Sequence, residues 1–550
     1  MSPVALLNYK SRERQLWRFH GGIHIPDEKA LSKERPAAQA PIPRFLVLPL
    51  QQHIGAIAKP KVAVGDRVLA GQRIADPVGY VSAAIHASSS GVVVAIEDRP
   101  VAHPSGLPAP CIVIETDGED AAVEQLPPIV DYRHVERALL RERIRECGIV
   151  GLGGATFPTS VKVNPGHDQP IETLVINGVE CEPYITCDDL LMQTRAVDVI
   201  EGVRILHHLL GVRACLIGVE DNKPEALAAL RMALADSDMA DCTEVVTIPT
   251  RYPSGGERQL IRILTGKEVP TDGIPAQIGV VCQNVSTTVA IAEAVLDGKP
   301  LISRLVTVTG RAISEPRNLL VRIGTPANEL IDFCGGYREA PRKLISGGPM
   351  MGVQLASDQV PVTKGVNCLL ALTADEAPDP GPPLACIRCG RCAEVCPANL
   401  LPQQIYWHAR AKDLDKVQDY NLFDCIECGC CAHVCPSHIP LVQYYRFAKT
   451  ASWARDQEAR QAEHARARHA AKQARLERVE RERQAKLRQK AEAVRDKPAG
   501  AGTAPCTEPK AAIEAAKQRA AAKRAAAGQD AAAPAQAGAV RPEKERLTQD

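Results

Sequence analysis

Two copies of one cysteine motif constrain this chain more than any other feature. The first copy runs from Cys386 to Pro397 and the second from Cys425 to Pro436, and both read C-x2-C-x2-C-x3-C-P. In this spacing three thiolates share one tight loop, while the fourth binds the neighbouring iron–sulfur cluster. We therefore predict two 4Fe-4S clusters. The predicted ligands are Cys386, Cys389, Cys392 and Cys435 for cluster 1, and Cys425, Cys428, Cys431 and Cys396 for cluster 2.

Zinc is the alternative occupant, because paired C-x2-C spacings also bind zinc tetrahedrally. Zinc ribbons do not need three cysteines at this close spacing followed by Cys-Pro, and here the pattern occurs twice. Cys430 lies outside the register, at the position that Arg391 holds in the first copy. We expect it to be a small buried residue or a neighbour of a ligand. The motifs resemble those of bacterial ferredoxins with two 4Fe-4S clusters, with residues 403–424 as a helical spacer.

Composition narrows the class of protein. The 550 residues are 45% hydrophobic and carry a formal net charge of +1, so the average charge predicts no nucleic-acid partner. The N-terminal residues show no apolar leader and no cleavage site, so the 19 cysteines are expected in a reducing cytosol rather than in disulfides. No apolar run approaches the roughly 18–20 residues needed to span a bilayer, so any membrane association is expected to be peripheral.

Hydrophobic patterning predicts a multidomain fold of α/β and α+β type. Short Val/Ile-rich runs alternate with turn residues over 42–120, which is typical of a small all-β unit. Residues 130–298 alternate helical patterns with buried strands such as TLVIN, which predicts an α/β domain. A β/α unit follows at 301–350, with NELIDFCGG as its helix and glycine stop. The cysteine unit covers 375–448, with motifs at about 377–406 and 416–445.

The C-terminal region from 453 to 550 is rich in Ala, Arg, Lys, Gln and Glu. It contains strong helix formers but no apolar stripe, so it cannot bury a core. Basic and acidic residues are interleaved, which argues against a dedicated nucleic-acid arm. We predict a tail that is partly helical or disordered, with a weak partner contact as the alternative.

A glycine-rich loop, GLGGATFPTSVK, begins at Gly151. Thr156 stands at the third glycine position of a dinucleotide fingerprint, and the segment before the loop is helical in pattern rather than a strand. Both observations argue against a Rossmann site. Three later blocks accompany the loop, namely NGVECEPY, YPSGGERQLI and CQNVSTTVAI.

These four blocks, in this order, resemble the flavin- and NADH-binding module of the complex I subunit family. The resemblance implies that the backbone of the glycine loop approaches a flavin, that Phe157 stacks on an aromatic cofactor and that Lys162 supplies a cation. It also implies that Asn177 and Asn284 bond the flavin ring or ribityl chain. Acidic residues near the nicotinamide nucleotide complete the set. The implied cofactor-binding residues are Gly151, Gly153, Gly154, Ala155, Phe157, Lys162, Asn177, Glu180, Glu182, Glu257 and Asn284, and no catalytic side chain is predicted beyond the cofactors.

Two positions depart from that family. Leu152 stands where the family has an arginine, and Val179 stands where it has an aspartate. The stretch after Pro183 also diverges. These departures concern nucleotide preference and the tightness of NADH binding.

The order of units along the whole chain resembles the RnfC/RsxC family of the ion-translocating Rnf electron transport complexes. The resemblance covers residues 1–450. It implies an N-terminal segment at 1–41, a barrel-sandwich hybrid of biotinyl/lipoyl type at 42–120, and an FMN/NADH-binding domain at 130–298. A soluble-ligand-binding β-grasp (SLBB-like) unit is implied at 301–350, followed by the ferredoxin-type unit. The stretch GYVSAAIHASSSG offers no modifiable lysine, so the barrel is interpreted as structural.

The same resemblance implies FMN, NADH and two 4Fe-4S clusters in a translocase or oxidoreductase subunit. The implied location is peripheral, on the cytoplasmic side of a cell inner membrane. Implied partners are integral-membrane and iron–sulfur subunits of the same complex and ferredoxin or flavodoxin, with coupling to Na+ or H+ movement. Two alternatives stay open, a soluble NADH-dependent flavin/iron–sulfur dehydrogenase and an electron-transfer adaptor that has lost its flavin site.

Overall fold

The fold is described from a computed structural model that covers residues 14–166, 170–379, 381–495 and 513–520. Within these residues the strands are, in chain order, β1 (Ala38–Gln39), β2 (Phe45–Pro49), β3 (Lys59–Pro60), β4 (Arg67–Val68), β5 (Arg73–Asp76), β6 (Ile85–His86), β7 (Gly91–Arg99), β8 (Ala109–Thr116), β9 (Thr173–Asn177), β10 (Ala214–Glu220), β11 (Thr243–Ile248), β12 (Val280–Asn284), β13 (Ser303–Thr309), β14 (Arg317–Arg322), β15 (Lys343–Ser346), β16 (Val353–Gln354) and β17 (Cys368–Leu372).

Helices connect these strands and build the cysteine unit. They are α1 (Ala30–Lys33), α2 (Arg137–Glu146), α3 (Thr159–Lys162), α4 (Cys187–Thr194), α5 (Ala196–Leu210), α6 (Pro224–Ala235), α7 (Glu257–Thr265), α8 (Val285–Ala292), α9 (Ala327–Phe333), α10 (Arg391–Glu394), α11 (Pro402–Arg410), α12 (Leu414–Asp419), α13 (Cys430–His433) and α14 (Leu441–Arg495). A further helical stretch lies at 513–520.

The first all-β unit consists of two small sheets, in the order β2-β8-β7-β4 and β3-β5-β6, with antiparallel pairing throughout. Leu46 and Leu48 of β2 are fully buried, while Phe45 and Val47 beside them are more exposed. This alternation is what a half-buried strand requires. The apolar core of this barrel-sandwich unit continues into the next unit, where it includes Ile176.

Strands β9 to β12 form the parallel sheet of the second unit, in the order β11-β10-β9-β12. The predicted strands TLVIN, RACLIG and EVVTIP are β9, β10 and β11. From β9 the chain builds outward through β10 and β11, and it then returns to the other side of β9 with β12. Crossovers to opposite sides of one strand leave a crevice at the carboxyl ends of β9 and β12, where open α/β sheets bind ligands.

The third unit contains a six-stranded mixed sheet in the order β1-β14-β13-β17-β15-β16. It extends beyond the predicted 301–350 unit on both sides. The central strand β17 comes from Cys368–Leu372, and the edge strand β1 comes from the N-terminal segment. β17 is buried at every residue, so it completes the core rather than acting as a linker.

The cysteine unit is built from short helices. The predicted helical spacer corresponds to α11 and α12 with a 3-10 turn at Leu422–Asp424. The last helix, α14, begins at Leu441, ahead of the predicted start of the tail at 453, because Leu441 and Tyr445 pack into the core of this unit. The predicted tail beyond residue 495 lies outside the described residues, apart from 513–520. In the part of the chain that is described, no helix is both long and apolar enough to cross a membrane.

Candidate functional site

The eight motif cysteines line two separate cavities. The first, of about 340 Å³, is lined by Cys386, Cys389, Cys392 and Cys435. The second, of about 20 Å³, is lined by Cys396, Cys425, Cys428 and Cys431. The two sets are the ones predicted for cluster 1 and cluster 2, including the exchange of the fourth cysteine between the motifs.

The two cysteine loops have the same backbone conformation. Arg388 and Glu427 occupy equivalent positions in C-I-R-C and C-I-E-C, and both have a φ of 57°. Gly390 and Gly429 follow with φ of 81° and 80°. Left-handed backbone recurring at matched positions turns each loop so that its three thiols converge. The duplicated sequence therefore produces a duplicated site.

The donor set fits two four-iron cubanes. Thiolates are the ligands that iron–sulfur clusters take, and no carboxylate or imidazole lines the first cavity. Among the described residues, no group of three or more His, Cys, Asp or Glu side chains is arranged for a single metal ion. A cubane holds its thiolates further apart than one ion does, so cluster binding draws on the wider arrangement around each cavity.

Cys430 is fully buried but does not line either cavity. It packs with Ile23, Tyr252 and Cys428 in a small apolar cluster. This places the fifth cysteine of the second motif at the contact between the cysteine unit and the parallel-sheet unit. The equivalent residue of the first motif, Arg391, is exposed.

Asn177 and Asn284 are direct neighbours at the ends of β9 and β12. They pair with one another in the register of these strands, at the crevice where the strand order reverses. The structure thus brings these two predicted cofactor residues together. Both carboxamides also have partners within the protein. Asn177 donates to the carbonyl of Gly255 at 2.8 Å, and Asn284 caps α8 by accepting from the backbone of Ser286 and Thr287.

The glycine loop lies beside this crevice. Gly153, Gly154 and Ala155 are exposed and Phe157 is half-buried. A side chain at Gly153 would approach Asn284 to 3.2 Å, whereas no described atom lies within 4 Å of the place where a Cβ of Gly154 would stand. The loop therefore presents open backbone at the carboxyl edge of the sheet. Exposed glycine backbone at this location fits a flavin phosphate or ring.

Lys162 and Glu257 form an ion pair at the same edge. The Lys162 Nζ and Glu257 Oε1 atoms are 2.6 Å apart, and both side chains are about one third exposed. Burial acts to lower the pKa of Lys162, but the charge of Glu257 outweighs it and the pKa is raised. The ammonium therefore stays charged, as a cation placed for an anionic cofactor must.

Glu180 faces inward rather than toward the crevice. Its carboxylate accepts from the backbone N–H groups of Asp188 and Asp189 at the start of α4, at 2.7 and 3.2 Å. Burial raises its pKa to about 7, while the nearby ammonium of Lys29 acts in the opposite direction. These contacts give Glu180 a structural role, because a carboxylate at a helix N-terminus satisfies unpaired N–H groups.

Glu182 joins the parallel-sheet unit to the third unit. Its carboxylate accepts from the backbone N–H of Met350 at 3.2 Å and of Met351 at 2.8 Å. Burial raises the pKa of Glu182 to about 7, although these two N–H groups act to lower it. A side chain at Gly348 would clash with the Glu182 carboxylate, so this turn is built around the acid.

Lys29 is a residue of this site that sequence reasoning missed. Its buried Nζ donates to the carbonyls of Glu180, Glu182 and Ile185 at 2.9, 3.0 and 2.5 Å. One ammonium with three donors thus holds the ECEPYI loop in place. No local pattern pointed to this role, since Lys29 lies in the N-terminal segment, about 150 residues before the loop that it holds.

The comparisons with known proteins follow the same order of units. Residues 17–119 match the family model of the RnfC barrel sandwich hybrid domain, and residues 144–293 match that of the Nuo51 FMN-binding domain. Residues 305–354 match the SLBB domain, and residues 385–439 match the 4Fe-4S dicluster domain. The flavin-type and dicluster matches support FMN and 4Fe-4S clusters as the cofactors.

A curated relative from Pseudomonas aeruginosa bears the name of the RnfC-type subunit of an ion-translocating oxidoreductase complex. It is 51% identical over 470 residues, covering 86% of this chain and 60% of the relative. The chain belongs to this RnfC family. A second member, from Serratia proteamaculans, is 49% identical over 467 residues, covering 85% of this chain and 66% of the relative. The chain therefore spans slightly less than two thirds of the length of these two relatives.

Among solved structures, an NAD+-reducing NiFe hydrogenase in the H2-reduced state shares 17% sequence identity with this RnfC-family chain. The match covers 59% of this chain and 67% of the hydrogenase chain, with a TM-score of 0.42. The air-oxidised state of the same kind of enzyme gives 16% identity, 60% and 69% coverage and a TM-score of 0.42.

In this RnfC-family chain, the second cysteine loop packs directly against the flavin-type unit. Tyr252 donates its hydroxyl to the carbonyl of Cys428 at 2.7 Å. A side chain at Gly429 would meet the carbonyl of Met350, the residue whose N–H binds Glu182. The predicted nucleotide-site acid and the loop of cluster 2 are thus separated by one residue of the third unit.

The N-terminal segment closes this contact from another side. Gly22 donates its N–H to the carbonyl of Val395 at 2.9 Å, and Ile23 pairs with Tyr252. A side chain at Gly21 would stand 2.4–2.7 Å from the backbone of Val395 and Cys396. Glycine is therefore required at 21, where φ is 64° as well. The paired glycines of FHGGIHIPDEK were the sequence signal for this close approach.

Proposed function

We propose that the chain carries electrons between NADH and the partner subunits of a membrane-bound ion-translocating complex, using FMN and two 4Fe-4S clusters. The observation that carries the proposal is the direct contact of the flavin-type unit with the loop of cluster 2, through Tyr252 and Cys428. Cluster 1 lies on the other motif, whose Cys389 is exposed. This arrangement supports the order flavin, cluster 2, cluster 1, partner.

FMN, when bound, would accept a hydride from NADH and release the two electrons singly to the clusters. The chain's own residues would provide its surroundings. The glycine loop from Gly151 to Ala155 would hold it with backbone N–H groups, Phe157 would contact its ring, and the Lys162 ammonium would balance its negative charge. Glu257 would keep Lys162 charged and in position.

The eight motif cysteines would bind the clusters in the two sets that line the cavities. Glu180 and Glu182 would act indirectly, by holding α4 and the turn at Met350 and Met351. Asn177 and Asn284 would shape the crevice and offer remaining lone pairs and N–H groups to the flavin ring or ribityl chain.

The finer assignment is that of a translocase subunit with NADH:ferredoxin electron transfer coupled to Na+ or H+ movement. Its partners would be integral-membrane and iron–sulfur subunits of the same complex, with ferredoxin or flavodoxin at the far end. The chain would lie peripherally on the cytoplasmic side of the inner membrane. The support for these points is the name of the relatives and the family resemblance.

A second candidate is an electron-transfer adaptor without flavin. One observation favours it: the side chains of Asn177, Asn284, Glu180 and Glu182 all bond to the protein itself. In that case the parallel-sheet unit would serve to dock cluster 2 rather than to reduce it.

Anaerobic purification followed by addition of NADH separates the two candidates. The proposal expects about eight iron atoms and eight sulfides per chain, one FMN, and bleaching of the cluster absorbance by NADH. Full iron without FMN and without bleaching would establish the adaptor. Salt washing of membranes tests the location: a chain found wholly in the soluble fraction before washing argues against docking on membrane partners.

A further inference from the structure

The repeated cysteine motif offers its own comparison between a covered face and a bare one. In the second motif, Gly429 and Cys430 are buried against the flavin-type unit and Ile426 is partly buried there. In the first motif, the equivalent Ile387 and Arg391 are exposed, and no described atom would contact a side chain at Gly390 within 4 Å. Two loops of one conformation thus differ in whether anything covers them.

The bare face is apolar around the mouth of the first cavity. Ile387 is 67% exposed, and Trp407, which also lines this cavity, is 39% exposed. Leu384 is 63% exposed and donates its backbone N–H to the carbonyl of Ser437, another lining residue. Large apolar side chains grouped on a surface mark interaction sites. We call this surface the motif 1 face, made of Leu384, Ile387, Arg388, Arg391, Trp407 and Arg410.

The charges of the two faces are also different. In the second motif, Glu427 is paired with Arg446 and Lys449 at 2.7 and 2.8 Å. In the first, Arg388 and Arg391 form no ion pair within the described part of the chain, and Arg410 stacks over the Trp407 ring at 5.9 Å. Between residues 386 and 412 the sequence contains four Arg and Lys residues and a single acid, Glu394. The positive charge of this face is not balanced by the chain.

We propose that the motif 1 face docks a one-electron carrier protein with an apolar centre and an acidic rim, which exchanges electrons with cluster 1. The inference rests on the proposed function and names the partner class for its last step. One electron leaves cluster 1 and reduces the carrier by one, without a proton or bond change. An apolar patch with a charged rim is how transient protein partners are oriented and attracted.

A protein fits this face better than a lipid surface does. The exposed side chains surround the mouth of the cavity that holds the cluster 1 cysteines, so whatever covers them lies against the cluster. The covered second motif shows what such a contact looks like: there the occupant is itself a redox unit. Anionic lipid is the other ligand class that an apolar and basic patch could bind, and the experiment includes it.

The test uses the iron-loaded chain and measures binding rather than turnover. An acidic plant-type 2Fe-2S ferredoxin is the probe, with both proteins oxidised and no NADH present, and affinity is measured by calorimetry at low and high salt. The wild type should bind the probe, and added salt should weaken binding. The double variant R388E/R391E should bind at least about tenfold more weakly, and it should gain affinity for the basic protein cytochrome c.

The matched control is K59E/K61E, which makes the same change of charge at two exposed lysines of the barrel-sandwich unit. Equal weakening by both double variants would overturn the proposal, as would no binding to the wild type. Binding of vesicles with anionic lipid, but not of ferredoxin, that is lost in R388E/R391E would assign the face to a membrane instead. If the double variant loses iron, R388Q/R391Q replaces it, and unchanged ferredoxin affinity in that variant would equally overturn the proposal.

Binding of this kind does not depend on the flavin site. A chain that binds ferredoxin normally but is not reduced by NADH would therefore disprove the proposed entry of electrons and leave the docking face intact. Normal bleaching by NADH with no effect of R388E/R391E on ferredoxin binding would do the reverse.

Discussion

The hydroxyl of Tyr252 donates to the carbonyl of Cys428 at 2.7 Å, and this bond joins the flavin-type unit to a loop that carries predicted cluster ligands. Tyr252 is 3% exposed, and burial raises the pKa of its hydroxyl well above the ordinary value, so the group stays protonated as a donor. A neutral donor in an apolar contact holds the loop without adding charge next to the cluster.

Tyr252→Phe removes this donor and leaves a buried carbonyl without its partner. We expect the free energy of unfolding to fall by about 1–3 kcal/mol, the usual cost of an unsatisfied buried group. Iron content should be retained, and reduction of the clusters by NADH should be slower. Thermal unfolding and stopped-flow absorbance measure these two effects. Tyr337→Phe, which removes a hydroxyl bonded to Asp358 in the third unit, is the control; an equal slowing there would deny Tyr252 a special place.

Cys430→Ala should preserve the full iron and sulfide content, about eight of each per chain, because Cys430 lies outside both cavities. Loss of stability should be limited to about 1 kcal/mol for the missing buried sulfur atom. Cys428→Ala should instead lose iron. A cluster lost in the Cys430 variant would show that the register of the motif is wrong.

Exchange between the repeats extends this test. Cys430→Arg places at the buried position the residue that the first motif has there, and it should destabilise the protein by more than about 3 kcal/mol because a charge is buried without a partner. Arg391→Cys makes the opposite change on an exposed surface and should be nearly neutral. Similar unfolding temperatures for the two variants would contradict the difference between the covered and bare faces.

Glu257→Gln should slow reduction by NADH by about tenfold while iron content stays unchanged. The reason is that Lys162 loses the carboxylate that raises its pKa and holds its ammonium at 2.6 Å. Stopped-flow reduction and iron analysis check the prediction. Glu268→Gln, at an exposed acid nearby on the chain, should change neither. Parallel loss of iron and activity in the Glu257 variant would make its role structural.

Lys364 is buried where three units meet, and its Nζ donates to the carbonyls of Ala84 and Gly148, both at 2.7 Å. Burial lowers its pKa to about 7, whereas the pKa in the unfolded chain is about 10.4. Between these values the unfolded chain binds a proton that the folded chain does not bind. The free energy of unfolding therefore rises as the pH is raised from about 7 to 10.

Lys364→Met should remove this pH dependence. The difference in stability, wild type minus variant, should increase with pH by up to about 1.4 kcal/mol per pH unit, as measured by unfolding at about pH 7 and about pH 9. Lys61→Met, at an exposed position, should leave the pH dependence as in the wild type. A difference between wild type and Lys364→Met that is constant with pH would mean that the amine has an ordinary pKa.

Much of the architecture was predictable because its signals are local. The strands TLVIN, RACLIG and EVVTIP are apolar runs bounded by polar residues, and they became the parallel sheet. The third unit was harder to delimit. Its strands Ala38–Gln39 and Cys368–Leu372 come from distant parts of the chain, and no local pattern connects them to residues 301–350.

By itself, the sequence determined the two sets of cysteines, since the spacing of residues on one tight loop dictates which thiols can converge. It also placed the glycine loop and Lys162 in a flavin-type site through motif resemblance. Only the tertiary structure decided what the remaining polar residues do. Glu180 and Glu182 turned inward to satisfy backbone N–H groups, and Lys29 and Tyr252 entered the site from elsewhere in the sequence. A buried polar group must find a partner, and which one it finds depends on segments that meet only in the folded chain.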